Sequence, residues 1–157
     1  MLVDGSNVYT QSSAVLRVAA RKAGLMPTDD KEIYMVDKLI ADADDLRSPT
    51  YGAIPMMGAT PEATKKYHDE TMPKHLANFE RMLGDNEWFV GGKISVADIT
   101  VFDVMQVMCT ALFPKALDNF PKLKAHQAKM LALPNIAAYM ETEAYKGLMG
   151  FPALPGF

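Results

Sequence analysis

Gly91-Gly92-Lys93-Ile94-Ser95-Val96-Ala97-Asp98-Ile99, continuing through Thr100-Val101-Phe102-Asp103-Val104-Met105 to Phe113, is the stretch on which the fold turns. Ser95 and Asp98 stand at N-cap and N3 spacing, so each side chain can answer a backbone N–H of the other, and Ile94 with Ile99 occupies the staple positions. From Val96 to Phe113 apolar residues fall on almost every face, which describes a helix buried on all sides and therefore surrounded by other elements. A membrane span is the competing meaning. Asp98, Asp103 and Gln106 argue against it, because charges at that depth are costly in lipid.

Helices are predicted on both sides of this run. Toward the N-terminus, Val36, Leu39, Ile40, Ala43 and Leu46 recur at helical spacing between about Asp30 and Ser48, with Pro49 expected to close the helix. A further helix is expected from about Thr60 to Leu83, with Pro61 in its first turn, a kink at Pro73, and Leu76, Phe79 and Leu83 as its buried stripe. Toward the C-terminus, helices start at Pro121, carrying Leu123 and Met130, and at Pro134, carrying Ile136 and Tyr139. The Gly- and Pro-rich tail from Gly147 to Phe157 is expected to be non-helical.

The chain begins differently. Met1-Leu2-Val3-Asp4-Gly5 and Val8-Tyr9 read as strand, turn and strand, and a helix follows from Ser12-Ser13 to near Gly24. A lone hairpin is marginal in water, so a larger sheet is expected to belong with it. The helix opens on Gln11-Ser12, where free N–H groups and the positive end of the macrodipole suit a carboxylate. The architecture expected is a mostly α helical bundle preceded by a β-hairpin and one helix.

With 157 residues, 49% hydrophobic and 22% charged, the chain suits one globular domain burying roughly two-thirds of its unfolded surface. Its net charge of −3, with Lys and Arg scattered, gives no reason to expect nucleic acid. Cys109 stands alone in an apolar run, so no intrachain disulfide forms and a reducing compartment is expected. No basic and apolar leader follows Met1, and a cytoplasmic location is the expectation. His68, His75 and His126 share no metal-ligand spacing and are expected at the surface. Asp103 is expected to hydrogen-bond nearby backbone within its buried helix. Tyr51, Met56, Met57 and Phe113 suit either core packing or an adaptable apolar pocket.

The passages Leu2 to Arg17, Gly91 to Ile99, and Phe120-Pro121-Lys122-Leu123 with Leu133-Pro134-Asn135-Ile136-Ala137-Ala138-Tyr139, in this order, resemble cytosolic glutathione transferases over essentially the whole chain. Asp44-Asp45-Leu46-Arg47 is similar to the sigma, mu, alpha and pi group, with sigma nearest by appearance. The resemblance implies that residues 1–25 are the last part of a thioredoxin-like glutathione-binding domain and residues 28–157 an all-α C-terminal domain. It implies that Gln11 and Ser12 hold the γ-glutamyl carboxylate of glutathione, and that Asp45 reaches the γ-glutamyl amino group bound in the neighbouring subunit of a homodimer. Ser95 and Asp98 match the family's capping box, with a folding role and no chemistry.

The activity implied is conjugation of glutathione to small electrophiles, or isomerisation of a related substrate, with glutathione as co-substrate and no other cofactor. No resident metal is expected, although Asp42, Asp44 and Asp45 resemble a cation site at a two-fold interface in some sigma-like relatives. Family members place a Tyr, Ser or Cys at the end of the first strand of the thioredoxin-like domain to activate the sulfur. No position here matches it, and Tyr9 lies on the wrong strand. A thiol near pKa 8.5 is only a few per cent ionised at neutral pH, so binding with poor turnover is expected. The alternatives are a noncatalytic association module of the same fold and an incomplete reading of an ordinary longer enzyme.

Overall fold

The computed structural model describes residues 1–148 and 153–157. Strands β1 (Leu2–Asp4) and β2 (Asn7–Tyr9) pair antiparallel in the register Leu2↔Tyr9, Val3↔Val8 and Asp4↔Asn7. Gly5 supplies the positive φ of the tight turn between them. Helix α1 (Ser12–Lys22) ends on Gly24 at φ +69°, with Leu25 N–H donating to Ala20 O at 2.8 Å and Gly24 N–H to Arg21 O at 3.2 Å. These are the two bonds of a Schellman stop. The next residues are stitched to the bundle by Val96 N–H donating to Leu25 O at 2.9 Å.

Helix α2 (Asp30–Tyr51) starts on Asp29, whose carboxylate accepts from the N–H groups of Lys31 and Glu32. It does not stop before Pro49 as the sequence suggested. Proline's fixed φ is itself helical, and so close to the end it forfeits one backbone bond, while Thr50 Oγ1 donates to Leu46 O at 2.8 Å and ties down the last turn. After a 3₁₀ turn (Pro55–Met57), α3 (Pro61–Lys66) runs through a π turn (Tyr67–Thr71) into α4 (Met72–Leu83). The disturbance expected at Pro73 takes this form: a widened turn just before the proline accommodates its missing N–H and its ring.

Helix α5 (Val96–Val104) is the central one and continues as a π turn (Met105–Thr110) rather than as regular helix to Phe113. Ala97, Val101, Val104 and Met105 are fully buried, and α5 packs most extensively against α2, whose Val36, Leu39, Ala43 and Leu46 are fully buried as well. Asp103 departs from the expected all-round burial: it is exposed and accepts from Arg47, not from nearby backbone. Helices α6 (Pro121–Leu131), α7 (Pro134–Met140) and α8 (Glu143–Leu148) complete the described bundle. Gly147 and Leu148 are thus helical, contrary to the non-helical tail expected from Gly147 onward, and residues 149–152 of that tail lie outside the described residues. Beyond them Leu154 N–H donates to Leu112 O at 2.8 Å, and the Phe157 ring packs on those of Phe113 and His68. Among the described residues no helix is long and apolar enough to cross a membrane.

The capping box forms where the spacing placed it. Asp98 is fully buried, and its two oxygens accept four donors: Phe89 N–H at 2.9 Å and His126 Nε2 at 3.1 Å on one, Ser95 N–H at 2.8 Å and Ser95 Oγ at 3.0 Å on the other. His126 is therefore an interior residue of α6, not a surface one; a carboxylate in the core supplies the partner that burial of an imidazole requires. Ser95→Ala removes one of these donors and the capping hydroxyl. It is expected to cost about 1 kcal/mol, read as a fall of about 2–4 °C in the thermal unfolding midpoint.

Candidate functional site

The N-terminal end of α1 opens onto a cleft of about 450 Å³ at the junction of α1, α2 and α5. Leu16, Ile40 and Ile99 form its apolar wall, and Ser12, Ser13, Asp44, Arg47, Thr100 and Asp103 its polar one. Gln11 is the N-cap residue, with φ +69° and ψ 115°, and it makes no side-chain capping bond. It is the sole non-glycine residue with positive φ among the described residues, a conformation that costs a side chain about 1–2 kcal/mol. No carboxylate lies in the first turn of α1, and Val15 N–H, donating to Gln11 O at 2.9 Å, is the first bonded N–H of the helix. The amides ahead of it, with the exposed side chains of Gln11 and Ser12, face outward as donors.

Behind that opening runs a chain of charge-assisted bonds. Ser13 Oγ donates to Asp44 at 3.3 Å; Arg47 spans Asp44 at 2.6 Å and Asp103 at 3.0 Å, joining α2 to α5. Arg17 Nε donates to Asp37 at 2.7 Å while its Nη1 reaches Ser13 O at 2.9 Å, which fixes the first turn of α1 against α2. Each pair is partly exposed, so each is worth little in isolation; together they set the orientation of α1.

Of the residues singled out in the sequence, Ser12 lines this cleft, and Gln11 is exposed beside it as the N-cap residue of α1. Asp45 does not line it: it is exposed on α2, one residue beyond Asp44. Asp42, Asp44 and Asp45 do not converge, since Asp42 pairs with Lys38, Asp44 with Arg47, and Asp45 faces solvent. Among the described residues no group of three His, Cys, Asp or Glu side chains is arranged to hold a metal. Cys109 is fully buried, its thiol pushed up to about 12 by desolvation, and so is no nucleophile.

Phe113 is core, and Met56 and Met57 are exposed on the 3₁₀ turn away from the cleft. The Arg17–Asp37 and Arg47–Asp103 pairs escaped the sequence, because residues 20 and 56 positions apart carry no periodic signal of their meeting.

A family model described as "Glutathione S-transferase, C-terminal domain" matches residues 44–143. Among curated proteins, the chain is 33% identical over 145 residues to glutathione S-transferase Mu 3 of Homo sapiens, and 34% identical over 146 residues to glutathione S-transferase Mu 2 of Mus musculus. Each alignment covers 92% of this chain, which spans 63% and 65% of the length of those relatives. Among solved structures it is similar to the pi-class glutathione S-transferase of Onchocerca volvulus, with a TM-score of 0.81 and 30% identity, covering 92% of this chain and 70% of that one. A matched family domain over most of the bundle, mu-class relatives along nearly all of the chain and a shared fold with a pi-class enzyme have one meaning: the chain belongs to the cytosolic glutathione S-transferase family.

Proposed function

We propose that these residues bind glutathione at the N-terminus of α1, with the γ-glutamyl carboxylate on the Gln11 amide, the Ser12 hydroxyl and the free backbone N–H groups of the first turn. The observation that carries this is Gln11, held in a strained positive-φ conformation at an exposed helix start with its side chain unspent on capping. Strain of that kind persists where the site it builds repays it. Residues 1–25 act as part of a glutathione-binding domain, and residues 28–157 as the helical domain that forms the other wall of the active site. Asp45, exposed on α2, takes the γ-glutamyl amino group bound in the partner subunit of a homodimer.

The reaction class is transfer of glutathione to a small electrophile or a related isomerisation. None of the 157 residues matches the sulfur-activating position, so the thiol bound here keeps close to its ordinary acidity. Glutathione binding without rapid turnover is the expected behaviour. The test is a chromogenic-electrophile assay on material whose intact mass matches 157 residues, run beside retention on immobilised glutathione. Retention with little turnover supports the proposal; a robust rate overturns the turnover half of it. A folded dimer that is not retained favours a noncatalytic association module.

A further inference from the structure

We propose that the outward face of α4 carries a second ligand site, a cationic groove that takes a small diphosphate. Leu76, Phe79 and Leu83 turn into the core, which leaves Lys74, Ala77, Asn78 and Arg81, at i, i+3, i+4 and i+7, on the outer side of the helix. Ala77 is exposed and short, so it forms a floor between the long arms of Lys74 and Arg81. With His75 and Asn78 these residues line a groove of about 360 Å³, which shares no residue with the cleft at α1.

The groove is chemically one-sided. Its lining brings an ammonium, a guanidinium, an imidazole and an amide, and no carboxylate. Among the described residues neither Lys74 nor Arg81 has a carboxylate within ion-pair reach, whereas Lys65 on α3 and Lys122 and Lys129 on α6 are each paired. Arg81 Nη2 donates to Asn78 Oδ1 at 2.5 Å, which ties the guanidinium to the groove wall and leaves the Asn78 amide nitrogen as a donor. Glu80, the one carboxylate of α4, is spent elsewhere: it accepts from the N–H groups of Lys122 at 3.0 Å and Leu123 at 2.8 Å.

Spacing selects the ligand. Lys74 and Arg81 stand two turns apart, about 10 Å along the helix. A single phosphoryl group meets one cation; the two phosphoryl groups of a diphosphate meet both, with the Asn78 amide between them. A long polyanion fits poorly, because exposed carboxylates bracket the groove along the chain, Asp69 and Glu70 before it and Asp85 and Glu87 after it.

The experiment follows the backbone amides of the whole isotope-labelled chain by NMR during titration with inorganic pyrophosphate and, at matched ionic strength, with inorganic phosphate. Saturable shifts in residues 74–81 with pyrophosphate, matched by phosphate only at about tenfold higher concentration, one hydrogen bond's worth, are the expected result. Lys74→Gln with Arg81→Gln, two exposed positions, should abolish the saturation. Ala77→Leu keeps both charges, suits a helix and fills the floor, and should weaken pyrophosphate by about tenfold or more. Equal responses to the two anions, no saturation, or a response unchanged in either variant would overturn the proposal. Shifts confined to residues 12–15 would overturn it as well, by placing the anion at the start of α1.

Discussion

Gln11→Ala with Ser12→Ala is expected to release the chain from immobilised glutathione, weakening binding by about a hundredfold or more. Each side chain is assigned a hydrogen bond to a carboxylate, and bonds to charged groups are worth about 1.5–3 kcal/mol apiece. The backbone donors of the first turn remain, so a weak residual affinity survives. The fold should not notice. Both side chains are exposed, and Gln11 spends nothing on capping α1, so the unfolding midpoint is expected to stay where it is.

Gln11→Gly sharpens the test because its two effects have opposite signs. Glycine, with no Cβ, tolerates φ +69° better than glutamine and should stabilise the chain by up to about 1 kcal/mol, while removing the amide weakens glutathione binding. Calorimetry on the two variants checks both directions. A Gln11→Gly protein that is more stable and binds as before would remove Gln11 from the site.

The largest loss of stability is expected from Asp98→Ala. Four donors from three segments converge on this carboxylate, joining the first turn of α5, the loop at Phe89 and helix α6. Removing it strands two backbone N–H groups, a hydroxyl and an imidazole N–H in a fully buried setting. Breaking a buried, fully bonded charge typically costs about 3–5 kcal/mol, a large part of the ~5–15 kcal/mol that holds a domain folded. Denaturant unfolding should show this as a lower midpoint, or as failure to accumulate folded protein. Asp98→Asn keeps the shape but replaces one acceptor oxygen with a donor, and is expected to fall between Ala and the parent. A loss below about 1 kcal/mol in Asp98→Ala, the size of an ordinary cap, would reduce Asp98 to a local helix cap and His126 to a packing residue.

These expectations rest on different sources. The bundle was legible because each helix announces itself locally: Ser95 and Asp98 cap α5, Pro61, Pro121 and Pro134 stand in first turns, and Gly24 and Gly84 follow helix ends. The apolar stripe of α4, Leu76, Phe79 and Leu83, is buried as its spacing requires. What went astray locally did so for a local reason: Pro49 sits where α2 can absorb it, and Pro73 is met by a π turn whose residues look like any other helix.

The polar contacts belong to another level. His126 falls between Leu123 and Met130 at the i, i+3, i+7 spacing of the buried stripe of α6, which marks its ring as interior, but its partner is 28 residues away on another helix and the spacing does not reveal it. Asp103 looked buried by the company it keeps along the chain, yet stands at the cleft because the gap between α1 and α2 opens there. By itself the sequence determined the helices as far as α7, the capping of α5, the family and the Gln11-Ser12 helix start, because periodicity, caps and motifs act over a few residues. The tertiary structure alone decided that Arg47 ties α2 to Asp103 on α5, that Asp45 stays outside the cleft, and that Asp98 and His126 share the core. Which polar groups meet depends on how helices pack, and packing is set by shape and burial summed over the whole chain, which no local pattern records.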